Sequence, residues 1–201
     1  IACVVFTRGC NFLCPYCHNP DLVGGSKNGA ARYLTTDHVY EFLEKRKGLL
    51  DGVVISGGEP TLQLDLSTFC AEIRAMGYRI KLDTNGSRPD VLRHLFQQSL
   101  VDFVAMDVKT SPDQYHLVAP KSFDPSGIVE SIRLIMDQAP AYEFRTTCVR
   151  PLVSETVLER IGPLVRGASS YVLQACSRHD RVLDPQWLNA RDRFFSTSEM
   201  T

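Results

Sequence analysis

The sequence ACVVFT at Ala2–Thr7, followed two residues later by CNFLCPYC at Cys10–Cys17, determines how the rest of the chain is interpreted. The first run is short, apolar and β-branched, which predicts a buried β-strand. The second run places Cys10, Cys14 and Cys17 on one short loop. Three thiolates so close in sequence can converge on one metal centre, but they cannot supply the four thiolates that an iron–sulfur cluster usually takes. The pattern therefore predicts a [4Fe–4S] cluster with one iron left open to a small-molecule ligand, which could receive an electron directly.

Two other sites fit the same spacing. His18 could complete a structural zinc knot, and the C-x-x-C pair within the loop could act as a redox-active dithiol. Zinc knots usually take their ligands from two separate short pairs. The other four cysteines, at positions 3, 70, 148 and 176, are isolated from one another in the sequence. The spacing therefore favours the iron–sulfur site.

Composition limits the class of protein. The chain has 201 residues and a net charge of −1, which fits one globular domain and argues against a nucleic-acid groove. No apolar run approaches the roughly 20 residues that span a bilayer, and no signal peptide is apparent. The chain has seven cysteines, most of them without paired spacing, which indicates a reducing cytoplasm rather than a disulfide framework. We expect a cytoplasmic protein that binds neither nucleic acid nor membranes, and we expect a leading segment to be missing before Ile1.

Predicted strands alternate with predicted helices along the chain. The predicted strands are Ala2–Thr7, Val53–Ile55, Arg79–Leu82, Phe103–Met106, Tyr142–Thr147 and Tyr171–Ala175. The helices are predicted to begin near Thr35 and to cover Leu64–Met76, Pro89–Gln98, Gly127–Asp137 and Ser154–Val165, with a loop at Asp21–Arg32. This alternation is typical of a parallel α/β sheet, and a full eight-stranded barrel needs about 250 residues. We therefore predict a partial (β/α)6 TIM-like barrel over residues 1–176 with a C-terminal tail at 177–201; a doubly wound open sheet is the alternative.

Polar residues and glycines follow most of the predicted strands. They are Gly57, Gly58 and Glu59 after the second strand, Asp83, Thr84 and Asn85 after the third, Asp107 and Lys109 after the fourth, and Gln174, Cys176 and His179 near the sixth. The carboxyl ends of parallel strands meet at one edge, where ligands bind in barrels and open sheets. We therefore expect one ligand site at this edge.

Each group has an expected role and a simpler alternative. The turn at Gly57–Glu59 could present carbonyls and a carboxylate to an ammonium group, or it could be an ordinary turn. Oxygen ligands near a substrate carboxylate could come from Asp83, Thr84 and Asp107. A monovalent cation could bind near Asp83 and Asp107. For Asp107 and Lys109 the alternative is a surface ion pair.

Two further side chains are expected at this edge. Arg145 lies within an apolar strand, where an unpaired guanidinium is costly, so it needs an anion. Gln174 could hydrogen-bond a ribose or adenine, or could be an amide at the edge of the sheet.

At the level of motifs, the chain resembles the radical S-adenosylmethionine (SAM) superfamily. The superfamily's cysteine motif has an aromatic residue before its last cysteine, and Tyr16 occupies that position here. The superfamily's Gly-Gly-Glu-Pro motif matches Gly57–Pro60. The runs Cys14–Pro20, Asp83–Gly86 and Met106–Lys109 are similar to activating enzymes of glycyl-radical enzymes. Ile1–Asn19 and Glu143–Thr147 look most like anaerobic ribonucleoside-triphosphate reductase activating proteins.

This resemblance implies an oxidoreductase that cleaves SAM reductively, forms a 5′-deoxyadenosyl radical and installs a glycyl radical on a partner. The partner would be an anaerobic ribonucleotide reductase, and a flavodoxin or ferredoxin-type protein would donate the electron. The alternatives are activation of pyruvate formate-lyase or another glycyl-radical enzyme, or a reaction on a peptide or small molecule. By the same resemblance, Cys10, Cys14 and Cys17 would hold the cluster. The SAM-binding residues would be Tyr16 through its backbone, Gly57, Gly58, Glu59, Asp83, Thr84, Asn85, Asp107, Lys109, Arg145 and Gln174.

Overall fold

The fold is built on a six-stranded sheet in which every neighbouring pair of strands is parallel. The computed structural model describes residues 1–24, 33–177, 181–190 and 192–200. The strands are β1 Ala2–Thr7, β2 Gly52–Gly57, β3 Arg79–Thr84, β4 Phe103–Asp107, β5 Tyr142–Cys148 and β6 Tyr171–Ala175. The helices are α1 Pro20–Gly24, α2 Thr36–Glu44, α3 Leu66–Ala75, α4 Pro89–Gln97, α5 Ser126–Gln138, α6 Glu155–Val165 and α7 Pro185–Leu188. Short 3₁₀ segments occur at Pro60–Leu62, Pro112–Leu117 and Thr197–Glu199.

The order of the strands distinguishes the two predicted architectures. The strands lie in the order β1-β2-β3-β4-β5-β6, so each crossover advances in the same direction. Right-handed crossovers that all advance one way place their helices on one face of the sheet, whereas a doubly wound sheet reverses direction at a switch point. Within the described residues, β1 and β6 form the two edges. The sheet is therefore an open partial barrel, as predicted, and the doubly wound alternative is wrong.

The strand register shows which side chains face the helices and which lie on the opposite, inner face of the sheet. Ile55 pairs with Leu82, which pairs with Val104, and all three side chains are fully buried. Because side chains alternate along a strand, the residues between them lie on the opposite face. That face carries the pair of Asp107 on β4 and Arg145 on β5. Asp83, Asp107 and Arg145 therefore project away from the helical layer, whereas Thr84 shares the face of Leu82.

The helix caps follow the sequence closely. Thr35 accepts a hydrogen bond from the backbone N–H of His38 at the start of α2, and Ser154 accepts one from Val157 at the start of α6. Helices were predicted to begin near both residues, and a side-chain oxygen at this position satisfies a free N–H of the first turn. None of the helices within the described residues is long and apolar enough to cross a membrane.

The predicted loop at Asp21–Arg32 is wrong at its beginning, because Pro20–Gly24 forms α1. Proline at the first helical position and Asp21 in the first turn both favour a helix there. Residues 25–32 of that predicted loop lie outside the described residues. The predicted tail contains α7, which is capped by Asp184.

Candidate active site

A cavity of about 460 Å³ lies at the carboxyl ends of the strands. All of the residues expected to bind the cluster or SAM line it: Cys10, Cys14, Tyr16, Cys17, Gly57, Gly58, Glu59, Asp83, Thr84, Asn85, Asp107, Lys109, Arg145 and Gln174. The lining also includes Phe12, His18, Asn19, Val23, Ser56, Thr147, Ala175, Cys176 and Ser177. His179 lies outside the described residues.

Some of the lining residues were missed by the sequence analysis. Thr147 lies two residues after Arg145 on β5 and pairs with Gln174 on β6, so its position on the inner face follows from strand alternation. Phe12 is fully buried, and its ring packs edge-on against Tyr115 at 5.8 Å. The sequence signal that could have indicated Phe12 is its aromatic side chain, because it lies in a loop that shows neither strand nor helix periodicity.

Backbone hydrogen bonds connect the cysteine loop to neighbouring segments. The N–H of Gly9 donates to the carbonyl of Leu22 in α1, and the N–H of Leu13 donates to Val118, both at 2.7 Å. The N–H of Cys17 closes a turn onto the carbonyl of Cys14 at 3.0 Å. The loop that carries the thiols is thus held at several points.

The C-terminal segment also contacts this loop. The N–H of Leu183 donates to the carbonyl of Cys17 at 3.1 Å, and the N–H of Asp184 donates to that of Pro15 at 2.9 Å. Val182 is buried beside them. The segment after β6 therefore packs directly against the cysteine loop.

The three thiols line the cavity but do not form a single-ion site. Burial raises the pKa of Cys14 to about 11 and also raises the pKa of Cys10. Across the described parts of the chain, no three His, Cys, Asp or Glu side chains are placed to hold one metal ion. A zinc knot needs four ligands around one ion, whereas the cysteines of an iron–sulfur cluster each bind a different iron. Among the described residues, the three thiols and His18 are thus not gathered around one point.

Gly57 and Gly58, at the end of β2, are required because the backbone at the end of β1 and just after it approaches them closely. A Cβ on Gly58 would lie 2.0 Å from the carbonyl oxygen of Gly9, and a Cβ on Gly57 would lie 2.4 Å from the backbone nitrogen of Thr7. Gly57 also has a φ of +118°, which side-chain-bearing residues rarely adopt. The N–H groups of Gly58 and Glu59 donate to Thr7 and Gly9 at 2.9 and 2.7 Å. The turn is therefore packed against the start of the cysteine loop.

Glu59 joins this turn to the end of β3. Its Oε1 accepts from the N–H of Thr61 at 3.0 Å, from the Thr61 hydroxyl at 2.5 Å and from the Thr84 hydroxyl at 2.7 Å. Its Oε2 accepts from the N–H of Asn85 at 2.6 Å. The side chain is fully buried, and burial raises its pKa although these hydrogen bonds oppose the rise. The carboxylate expected to face an ammonium is already satisfied by the protein's own donors.

A charged cluster lies on the inner face beside the glycine turn. Asp107 contacts Lys109 Nζ through Oδ2 and Arg145 Nε through Oδ1, both at 2.9 Å. Asp83 Oδ1 lies 3.6 Å from Arg145 Nη1. Burial alone would raise the pKa of Asp107, but the charges of Lys109 and Arg145 outweigh it and lower that pKa. The anion that Arg145 was expected to need is thus supplied within the protein.

Two buried polar atoms in the cavity wall have no hydrogen-bond partner among the described residues: the Tyr16 hydroxyl and Asp83 Oδ1. Buried polar atoms are usually paired, so these are places where a bound ligand could supply a partner. The cavity also has the size of ordinary small-molecule sites. With three sulfur donors on one wall and carboxylate, ammonium and guanidinium groups on another, the residues fit an iron–sulfur cluster and SAM.

Comparison with known proteins supports the same family. The model of the radical SAM superfamily matches residues 4–152. A candidate glycyl-radical enzyme activating enzyme of Methanocaldococcus jannaschii is 35% identical over 176 residues, which cover 85% of this chain and 71% of that protein. A pyruvate formate-lyase-activating enzyme of Streptococcus mutans is 34% identical over 129 residues, covering 59% of this chain. The present chain spans 49% of the length of that relative.

Solved structures agree on the fold. SuiB of Streptococcus suis bound to S-adenosylmethionine superposes with a TM-score of 0.70 at 12% identity, over 91% of this chain and 42% of SuiB. The structure of anSMEcpe with bound AdoMet gives a TM-score of 0.65 at 17% identity, over 87% of this chain and 52% of that one. The matched family model covers most of the chain, including the cysteine loop and strands β2 to β5, and so this protein belongs to the radical SAM superfamily.

Proposed function

We propose that this protein is a glycyl-radical activating enzyme, which installs a glycyl radical on a partner enzyme. The observation that carries the proposal is the convergence of three loop thiols and the polar ends of five other strands on one cavity. Membership of the superfamily implies the [4Fe–4S] cluster and SAM. The relative from M. jannaschii supports the more specific activity.

In this proposal the protein binds, orients and shields its cofactors. Cys10, Cys14 and Cys17 would hold the cluster through their thiolates. A bound cluster would supply the single electron for reductive cleavage of SAM. The turn at Gly57 and Gly58 offers backbone carbonyls to the methionine ammonium. Positioning and exclusion of water are the protein's contribution, because the difficult chemistry belongs to the cofactors.

The charged cluster on the inner face orients the rest of SAM. Lys109 and Arg145 carry positive charge next to the cavity and could attract the methionine carboxylate. Asp83 has an oxygen without a hydrogen bond, which could accept from a ribose hydroxyl or bind a monovalent cation shared with Asp107. Thr84 and Asn85, at the end of β3, and Gln174, at the end of β6, complete the proposed contacts.

The adenine contact is assigned to the loop that carries the thiols. The backbone of Tyr16 is proposed to face the adenine ring. Its side chain is buried, so its aromatic ring serves to hold the loop.

The partner is proposed to reach the cavity between the edge strands β1 and β6, where the sheet is open within the described residues. An anaerobic ribonucleotide reductase is the first candidate, on the resemblance of Ile1–Asn19 and Glu143–Thr147 to its activating proteins. Pyruvate formate-lyase is the second, supported by the relative from S. mutans. The electron donor is proposed to be a flavodoxin or ferredoxin-type protein.

The first experiment tests cofactor cleavage. The protein is reconstituted with iron and sulfide without oxygen, reduced with dithionite and mixed with SAM, and 5′-deoxyadenosine is quantified. We expect product from the native protein and from Cys148→Ala, a buried cysteine outside the cavity lining, and none from Cys14→Ala. Absence of product from iron-loaded native protein would indicate a non-catalytic or electron-transfer module and would refute the proposal.

The second experiment tests the substrate. The reduced protein and SAM are mixed separately with an anaerobic ribonucleotide reductase and with pyruvate formate-lyase, preferably from the same genome. Electron paramagnetic resonance should show a glycyl doublet with one of them. Product without a doublet on any glycyl-radical enzyme would redirect the assignment to a peptide or small-molecule substrate.

A further inference from the structure

The side chain of Asn85 lies between the end of β3 and the cysteine loop. Its Nδ2 is 3.0 Å from Asn11 Oδ1 and 4.0 Å from the Sγ of Cys10. Asn85 is 5% exposed, so water does not compete strongly for this amide. The backbone N–H of Phe12 approaches the same sulfur at 3.4 Å. Two N–H groups therefore converge on one cysteine that is predicted to bind iron.

The orientation of the Asn85 amide is determined by its other partners. Its Oδ1 accepts from the backbone N–H of Ser87 at 2.9 Å, which requires the amide nitrogen to face the opposite way. Asn11 in turn donates from its Nδ2 to the Ser87 hydroxyl at 2.8 Å. The backbone N–H of Asn85 is held by Glu59 at 2.6 Å. Turning the amide over would break at least two of these bonds, so the N–H is preorganised toward Cys10.

We propose that Asn85 sets the reduction potential of the cluster by donating an N–H to the Cys10 sulfur. Hydrogen bonds to cluster sulfurs are among the factors that fix iron–sulfur potentials, because they stabilise the extra negative charge of the reduced state. Asn85 is thus a positioning residue that favours uptake of one electron from an external reductant, with no proton or group transferred. The inference rests on the cluster of the proposed function, and it does not depend on which partner is activated.

The test uses the intact, iron-loaded protein without SAM. The cluster is titrated with dithionite in the presence of redox mediators, and the reduced form is quantified by electron paramagnetic resonance. At the potential where the native cluster is half reduced, we expect the ratio of reduced to oxidised cluster in Asn85→Ala to fall at least threefold. For a one-electron couple this is a downward shift of about 28 mV. Asn85→Asp, which puts an acceptor where the donor was, should shift in the same direction and further.

Asn11→Ala is the matched control, because it removes the other acceptor of the Asn85 amide and leaves the donor in place. Its potential should remain near the native value. Equal shifts in Asn11→Ala and Asn85→Ala would overturn the inference, since the effect would then come from the position of the loop. A native potential in both Asn85 variants would overturn it as well.

Iron content and circular dichroism identify variants that fail to load or fold, and Asn85→Asp replaces Asn85→Ala if the latter fails. Failure of both Asn85 variants to hold iron, with Asn11→Ala loading normally, would also refute the tuning role and indicate a purely structural one. Native protein that binds no iron would refute both this inference and the proposed function. Native protein that cleaves SAM while the Asn85 variants keep its potential would refute the inference alone.

Discussion

Replacing Glu59 tests whether its carboxylate holds the fold or contacts the ligand. Glu59→Ala removes the acceptor of four hydrogen bonds in a fully buried site. The hydroxyls of Thr61 and Thr84 can rotate toward other acceptors, but the backbone N–H groups of Thr61 and Asn85 cannot. A buried N–H left without an acceptor costs about 1 to 3 kcal/mol. Allowing for relief of the buried charge, we expect a loss of about 3 kcal/mol of unfolding free energy.

The assay is thermal unfolding of the metal-free protein, followed by circular dichroism. For a chain of this length, about 3 kcal/mol corresponds to a fall in Tm of roughly 6 to 12 °C. Glu59→Gln is the matched control, because it keeps the volume and one acceptor oxygen, and it should cost about 1 kcal/mol. An unchanged Tm in Glu59→Ala, combined with loss of SAM binding, would refute the bracing role and make Glu59 a direct ligand contact.

The same pair of proteins has an expected pH dependence. Because burial raises the pKa of Glu59 above its ordinary value of 4.5, the folded state binds this proton more tightly than the unfolded state does. The contribution of the group is then fully present below about 4.5 and is lost as the pH rises through the folded-state pKa. The stability of the native protein relative to Glu59→Gln should therefore decline as the pH is raised through that range, which urea unfolding can measure.

Three further changes test other parts of the site. Asp107→Asn should lower the free energy of unfolding by about 2 kcal/mol at pH 7, because Lys109 loses its carboxylate partner in a partly buried site. Because the pKa of Asp107 is lowered from its ordinary value of 3.8, this loss of stability should fade as the pH falls below 3.8. Urea unfolding at pH 7 and below pH 3.8 measures the difference. Gly58→Ala should cost about 3 kcal/mol or more, since its Cβ would lie 2.0 Å from the carbonyl oxygen of Gly9, and a native Tm would contradict so close an approach of the two backbone segments. Leu183→Pro removes the N–H that bonds Cys17 and should speed loss of iron to a chelator about fivefold, an effect of one hydrogen bond, whereas Leu183→Ala should match the native rate.

Much of this molecule follows from local sequence signals. The strands and caps could be predicted because periodicity, glycine and capping residues act over a few neighbours, as Ser154 does at the start of α6. The placement of polar residues at one edge followed from the parallel sheet alone. Asp107, for example, was expected at the cavity because it ends a predicted strand, and it lines the cavity in the structure.

The missed details depend on contacts between distant segments. Nothing near Glu59 in the sequence shows that Thr84 and Asn85 will satisfy its carboxylate, because that depends on the pairing of β2 with β3. The partner of Arg145 likewise became visible only once β4 and β5 were in register. The contact of Leu183 with the cysteine loop joins residues far apart in the chain and has no local signal.

The hydrogen bonds around Glu59 determine which strands could accept substitutions without disturbing the others. They tie the ends of β1, β2 and β3 to one another, so this half of the sheet should open and close as a single cooperative unit. The edge at β6 has a neighbour on one side within the described chain and takes no part in that unit. Substitutions along β6 at positions other than Gln174 could therefore reshape the proposed entrance for a partner protein, while the cysteine loop and the glycine turn stay unchanged.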